Sequence, residues 1–402
     1  MLRTTDIAIV SAARTPMGRY GGKLRDFTAQ ELGAIAAKSA IAQAGIDPKE
    51  FDHAIFGNAQ QTSGDALYGA RHAALKAGLP VETPALTVNR LCGSGIQAIV
   101  SAAQLIQLGE AEIVLAGGME SMSQAPHVIR GARWGLGLGE GRLEDSLMVA
   151  LLDTQCGLYM ANTAEFYAEQ QGISRHMQDE FALRSQQYAD SAYRENRIQE
   201  ELCPVHLKDH RGEPNGEIFS EDDHRRPQTT LEDLAKLRPS FAKSGTVTAG
   251  NASKIVDGGA AVTVMPLASA RKRRLKSLGR IVSWGIAGVE PKLMGRGPVP
   301  ATLLALQRAG IKLDDIDLVE VNEAFAAQYL GVEKELGLDR QKVNVNGGAI
   351  ALGHPLGATG TRLVITLLYE LRRRRKKYGL ATACIGGGQG IALIVEHDAH
   401  EA

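Results

Sequence analysis

The chain has 402 residues, with 45 Lys plus Arg against 45 Asp plus Glu, so its formal charge is zero. That balance removes any bulk electrostatic reason to bind nucleic acid or an anionic membrane, while 44% hydrophobic residues suffice for a sizeable core in two or three domains. Four cysteines in this length exclude a disulfide-scaffolded secreted domain.

The chain enters Asp6-Ile7-Ala8-Ile9-Val10 almost at once, a buried-strand run rather than a charged flank and a secretory apolar region. No apolar run approaches the ~18 residues of a membrane span, and the C-terminal His-Asp-Ala-His-Glu-Ala matches no address signal. The expectation is a soluble, reduced, cytoplasmic protein. Short β-branched runs alternate with helical patterns, which predicts an α/β fold. Strands are expected near 6–11, 53–57, 86–89 and 112–117, and helices at about 29–44, 65–77 and 93–108. A fifth apolar run follows at 260–265. The same order then recurs, with strands near 280–287, 317–321, 343–345, 381–385 and 391–395, and helices near 299–309, 323–336 and 357–377.

Two landmarks strengthen the repeat. Val88-Asn89-Arg90-Leu91-Cys92-Gly93 and Val343-Asn344-Val345-Asn346-Gly347-Gly348 each follow a third strand. Leu115-Ala116-Gly117-Gly118 and Ala383-Cys384-Ile385-Gly386-Gly387-Gly388 each mark a fourth. The pattern implies two similar five-stranded layered halves, facing each other about a pseudo-twofold. They comprise residues 1–122, completed by 248–272, and residues 273–402. The segment 123–247 has no counterpart. It is rich in charge and turns, carries one expected helix at about 175–194, and reads as an inserted loop domain that builds a lid or a substrate-binding surface.

Several standard sites are absent from the sequence. There is no P-loop, no complete Gly-x-Gly-x-x-Gly after a strand, no Gly-x-Ser-x-Gly, and no Cys-x-x-Cys or His-Glu-x-x-His. A zinc site therefore lacks a local framework, and no metal is expected.

Three side chains stand out. Cys92 lies between a strand end and a helix start in Leu-Cys-Gly-Ser-Gly, where the helix dipole and unpaired N–H groups would lower a thiol pKa. A small buried cysteine is the plainer reading. His354 is framed by small residues in the stretch from Asn344 to Ala358, which is glycine-dense, follows a strand and cannot be a regular helix; its alternatives are a general base or a structural histidine. Cys384 precedes Gly386-Gly387-Gly388-Gln389-Gly390, whose backbone N–H groups could converge on an oxyanion or merely form a tight turn. If the halves are related by a pseudo-dyad, these strand ends meet in one cleft, and two thiols with one imidazole suit acyl transfer through a thioester intermediate. Asn322, after the strand at 317–321, either caps the next helix or orients a water at an oxyanion. The basic runs 271–276 and 372–377 read as solvated helix faces, so no nucleic acid is expected.

These motifs resemble the thiolases, specifically the acetyl-CoA C-acetyltransferases, over essentially the whole chain. The resemblance rests on Ser11-Ala12-Ala13-Arg14-Thr15-Pro16, the Cys92 loop, residues 116–123, Gly250-Asn251-Ala252-Ser253, residues 322–325, and the His354 and Cys384 loops. It implies that family's layered fold with its loop domain, which would bind CoA and carry oligomer contacts, in a homodimer or homotetramer. It implies Cys92 as the acylated nucleophile, His354 as its activator, Cys384 as second acid/base, and Asn322 with His354 in one oxyanion hole. The N–H groups of Cys92 and Gly386 would form the other. Met160, Arg226 and Ser253 would line the CoA site, and Tyr159, Phe325 and Met294 the acyl pocket. Tyr159 stands where biosynthetic members usually have His, and Asp233 where a serine often lies near the pantetheine. The implied reaction joins two acetyl-CoA into acetoacetyl-CoA plus CoA, with no metal or redox cofactor. A broad-chain 3-ketoacyl-CoA thiolase is the alternative; a Cys92–Cys384 redox switch or a non-catalytic acyl-CoA carrier stand further off.

Overall fold

The computed structural model describes residues 6–209 and 211–397; the last five C-terminal residues read above for address signals lie outside it. In the first half the strands run in the order Ile7–Arg14, Val256–Pro266, Val114–Glu120, His53–Gly57, Ala85–Val88. The first two pairings are antiparallel and the last two parallel. The second half repeats both order and sense with Gly279–Gly288, Gln389–Glu396, Tyr378–Ile385 and Leu318–Val321.

Its fifth position is a single parallel bridge from Val319 to Val343 rather than the strand expected at 343–345. The cause is Asn344, which turns away at φ 46°. Its side-chain amide replaces the missing ladder, with Nδ2 donating to the Val321 carbonyl and Oδ1 accepting from the Val321 N–H, both at 2.9 Å.

The halves face each other as expected and also join edge to edge, where 7–9 pair antiparallel with 279–281. Alternation along each strand sorts its residues to two faces. Inward residues of both halves, among them Ile9, Val262, Ala383 and Leu393, share one core with the helices Ser94–Leu108 and Leu356–Arg374. The outer faces are covered by Ala29–Ala44 and Gly69–Ala77 in one half, and by Pro298–Ala309 and Ala326–Leu336 in the other. Five layers result, with the two central helices in the middle.

Those helices touch backbone to backbone. A Cβ on Gly95 would lie 2.4 Å from the Thr361 nitrogen, and one on Gly360 2.4 Å from the Ile96 nitrogen. Only glycine permits that approach at both positions. The stretch Leu91–Leu108 is long and apolar enough to cross a membrane by length and composition, contrary to the expectation. Here its apolarity serves the core, because it is packed between two sheets.

The inserted segment holds two long helices, Met160–Gln171 and Arg175–Arg194, where one was expected. With Tyr167 as its one large buried side chain, the first buries the small residues Ala161, Thr163, Ala164 and Ala168 at helical spacing. Such small residues give little hydrophobic contrast, so the pattern is faint in sequence. The segment is tied to the first strand by Arg14, fully buried, which bonds Glu201 at 2.8 Å and Asp222 at 2.8 and 2.9 Å.

Replacing Gly95 with Ala should press a methyl group into backbone and cost about 1–3 kcal/mol. Urea unfolding should show a lower midpoint; an unchanged midpoint would mean the two helices can separate without loss.

Candidate functional site

Cys92 occupies a 3-10 turn, Leu91–Gly93, between the strand Ala85–Val88 and the first central helix. Asn89 Oδ1 accepts from the Leu91 N–H at 2.9 Å, and Ser94 Oγ donates to the Leu91 carbonyl at 2.6 Å. Together they hold Leu91 at φ 45°, a conformation costing about 1–2 kcal/mol in a non-glycine residue. The turn sits directly on the other half. A Cβ on Gly93 would meet Ile385 Cδ1 at 2.6 Å, and Arg90 Nη1 donates to Gln389 Oε1 at 2.9 Å.

Tyr378–Ile385 and Gln389–Glu396 form a hairpin whose turn is Gly386-Gly387-Gly388. Gly387 and Gly388 take φ of 82° and 80°. The two readings of this glycine run therefore coincide: it is a tight turn, and it presents an N–H group. The Gly386 N–H donates to the Cys92 sulfur. Cys384, on the last strand residue but one, is fully buried and is an electrostatic neighbour of Cys92. All four cysteines are free thiols.

His354 is nearly buried, and its loop includes a short helix, Ala349–Leu352, that the glycine content had argued against. Its Nδ1 lies 2.6 Å from Thr359 Oγ1, and that hydroxyl donates to the Pro355 carbonyl at 2.9 Å. A hydroxyl has one proton, so Nδ1 must carry the hydrogen of the first bond. Nε2 then keeps its lone pair. The Asn322 amide nitrogen, 3.3 Å from Nε2, requires the same tautomer. Asn322 does not cap the following helix. That helix starts at Ala326 after an extended Phe325, and the Ala326 N–H donates to the Asn251 carbonyl instead. Asn322 Oδ1 is buried without a hydrogen-bond partner.

The groups converge through their neighbours. Leu356, two residues from His354, packs with Cys92; Ala324, two residues from Asn322, packs with Cys384. Burial governs the electrostatics. It pushes the Cys92 thiol up to about 11, opposed by the Gly386 and Cys92 N–H groups. It raises Cys384, to which Cys92 adds. It lowers His354 to about 3, with a smaller push from the Arg362 charge. This runs against the expectation that the helix terminus lowers the Cys92 thiol pKa: desolvation outweighs the N–H groups that face the sulfur.

A cavity of about 340 Å³ leads to His354 and is walled by Tyr159, Met160, Ser253, Lys254 and Phe325. The Tyr159 ring lies 5.8 Å from that of Phe241. Met294 is not on this wall but in the apolar cluster around Cys384. Arg226 is exposed outside the cavity, close enough for its charge to bear on His224 and Lys254. Asp233 is exposed and bonded to Thr230 at 2.9 Å, at the start of a short helix, away from the wall. Thr359, His224 and Lys254 were not singled out in sequence. Thr359 falls just past the His354 stretch and Lys254 follows Ser253, so both were readable by position; His224 carried no signal. Among the described residues no group of three or more His, Cys, Asp or Glu could hold a metal ion.

Models of the thiolase N-terminal domain and the thiolase C-terminal domain match residues 7–268 and 275–397. The chain belongs to the thiolase family. It is similar to human mitochondrial 3-ketoacyl-CoA thiolase, at 52% identity over 98% of each chain. It is also similar to an acetyl-CoA acetyltransferase of Cupriavidus necator, at 49% identity over 98% of this chain and 99% of the other. A crystal structure of the human mitochondrial enzyme in complex with CoA superposes with a TM-score of 0.95, at 51% identity and 98% coverage of each chain. This thiolase is an acyltransferase.

Thr359→Val should release the His354 tautomer and lower kcat by about ten- to a hundredfold, the usual cost of losing a group that orients a functional histidine. Thr359→Ser should restore it. Steady-state kinetics with KM unchanged would locate the effect in the chemistry, and a Val variant of full kcat would remove Thr359 from the site.

Proposed function

We propose that this thiolase catalyses the reversible Claisen condensation of two acetyl-CoA to acetoacetyl-CoA plus CoA through an acetyl-Cys92 intermediate. The observation that carries this reading is the pairing of a half-buried thiol, Cys92, and a buried neighbouring one, Cys384, with a neutral imidazole whose unprotonated Nε2 faces the Asn322 amide. Thiol-to-thiol acyl transfer is nearly balanced in bond energy, which suits a cysteine nucleophile. His354 Nε2 takes the Cys92 proton and returns it to the departing CoA sulfur. Cys384 gives its own proton to the vacated Nε2 and, as a thiolate, takes a proton from the methyl group of the second acetyl-CoA; Nε2 later passes its proton to the departing Cys92 sulfur. The resulting carbanion attacks the acetyl carbon on Cys92, and Cys92 leaves as its thiolate.

The Cys92 and Gly386 N–H groups would receive one developing oxyanion, and Asn322 with His354 the enolate oxygen, each donor worth about 3–4 kcal/mol. Met160 and Ser253 would flank the pantetheine in the cavity, and Arg226 would meet the CoA phosphates at its exposed mouth. Tyr159 and Phe325 narrow the cavity, and Met294 closes the apolar end beside Cys384. No metal or redox cofactor enters any step.

A second reading, a 3-ketoacyl-CoA thiolase accepting longer chains, is favoured by the similarity to the human enzyme of that name. Assembly as a homodimer or homotetramer is supported by two apolar surfaces. Leu86 is half exposed on the edge strand Ala85–Val88, and Trp134 and Leu138 stand out from the inserted segment. Four free thiols suit a reducing compartment, for which we propose the cytoplasm.

Cys92→Ser should lose acyl exchange and condensation together. Cys384→Ser should retain acetyl exchange between CoA molecules yet lose condensation by at least about 10²-fold. Equal loss of both in Cys384→Ser would remove its separate role. A thiolysis panel of 3-ketoacyl-CoA esters should show kcat/KM falling beyond the acetoacetyl ester; a flat profile favours the second reading.

A further inference from the structure

The tunnel wall contains an amine that the proposed chemistry does not use. Lys254 follows Ser253, and its carbonyl accepts from the His354 N–H at 2.9 Å, so its backbone is fixed to the catalytic loop. Its side chain lies along the cavity, where Nζ donates to the Ala249 carbonyl and, at 3.2 Å, to the Ala252 carbonyl. Among the described residues no carboxylate pairs with it. Its charged neighbours are of its own sign. Arg226 lies outside the wall, and His224, on the same wall, has a buried Nδ1 without a hydrogen-bond partner. The remaining titratable groups on the wall are Tyr20, Tyr159 and His354.

Burial, with a smaller push from Arg226, lowers the ammonium to about 8. His224 is lowered to about 4 by burial, so it does not add a second charge at neutral pH. A neutral amine is therefore accessible near pH 8 in a channel that a thioester must occupy.

We propose that Lys254 is a self-acylation site, modified by acyl-CoA bound in the tunnel. The inference rests on the reading that this cavity takes acyl-CoA. Lys254 first loses its ammonium proton to water. The Nζ lone pair then attacks the thioester carbonyl carbon; the C–N bond forms, the C–S bond breaks, and CoA leaves as its thiolate. The nitrogen's surplus proton neutralises the products, giving N-acyl-lysine and free CoA with no oxidant or further reactant. Confinement raises the effective concentration of the donor beside the amine. The product amide lacks the charge and occupies the tunnel, so a high ratio of acyl-CoA to CoA would close the enzyme slowly.

The test incubates the full chain with [¹⁴C]acetyl-CoA between pH 6 and 9, followed by peptide mass spectrometry with and without hydroxylamine, which cleaves the Cys92 thioester but spares an amide. Lys254 should label at least tenfold faster than the exposed Lys236 and Lys292. Its rate should rise about tenfold from pH 6 to 7 and level off above pH 8, as deprotonation requires. Desulfo-CoA, which fills the site without an acyl group, should suppress the labels at Lys254 and Cys92 but not those at Lys236 and Lys292, and Lys254→Arg should abolish the Lys254 label. Labelling no faster than at Lys236, or unaffected by desulfo-CoA, overturns the proposal. If Cys92 labels in the same sample while Lys254 does not, self-acylation fails and the thiolase mechanism stands. If neither labels, the assignment of the tunnel to acyl-CoA fails, and self-acylation falls with it.

Discussion

The backbone contact between the two central helices is the constraint on which this structure depends. Gly95 and Gly360 let two apolar helices cross with no side chain between them. One begins just after the strand Ala85–Val88 and the other just after the short helix Ala349–Leu352, and each carries a reactive residue before its start: Cys92 on one, His354 on the other. The crossing therefore fixes two reactive groups that are far apart in sequence. The third arrives through the same symmetry. The Cys92 turn rests on the second half's hairpin through Gly93 and Ile385, and that hairpin bears Cys384 and Gly386. Close packing of rigid elements, rather than a flexible loop, sets the positions of the reacting atoms.

Burial has a second consequence. Thiol, imidazole and thiol are all kept neutral, because each charged form would be poorly solvated. A free thiolate would react with any electrophile that entered; a neutral pair reacts when a bound thioester offers its carbonyl carbon as the thiol proton moves to Nε2. The proton inventory for that transfer is already arranged. Thr359 holds the Nδ1 hydrogen, so the only imidazole lone pair points to the side where Asn322 lies.

Much of this was legible in sequence because the motifs are local. Strand runs such as 53–57 and 391–395, and the helix at 175–194, agree with the observed elements within a few residues, since each has a clear hydrophobic period. The repeat was visible because both halves keep the same order of glycine-bounded strand ends. What sequence missed depended on three-dimensional substitution. The 343–345 strand fails because the Asn344 amide takes the ladder's place. Asn322 is not a helix cap because Asn251, some 70 residues away in sequence, supplies the acceptor. The Met160–Gln171 helix buries small residues that leave little hydrophobic contrast. The thiol's pKa direction was misjudged because helix position is readable from sequence whereas the depth of burial is not.

The Arg14 cluster shows what buried charge contributes here. Arg14 bonds Glu201 and Asp222; Tyr193 donates to Asp222 at 2.8 Å, and Thr366 of the second central helix donates to Glu201 at 2.8 Å. Desolvating three ions consumes most of what their attraction returns, so such a cluster adds little net stability over apolar packing. Its geometry is more demanding than apolar packing, however. It accepts only one placement of residues 201 and 222 relative to the first strand and the central helix. Two residues beyond Asp222 lies His224 on the cavity wall, and four beyond lies the exposed Arg226. The guanidinium thus fixes the register of the inserted segment on the first strand, beside apolar anchors such as Phe181, Val205 and Phe219 that bury the segment without specifying one placement.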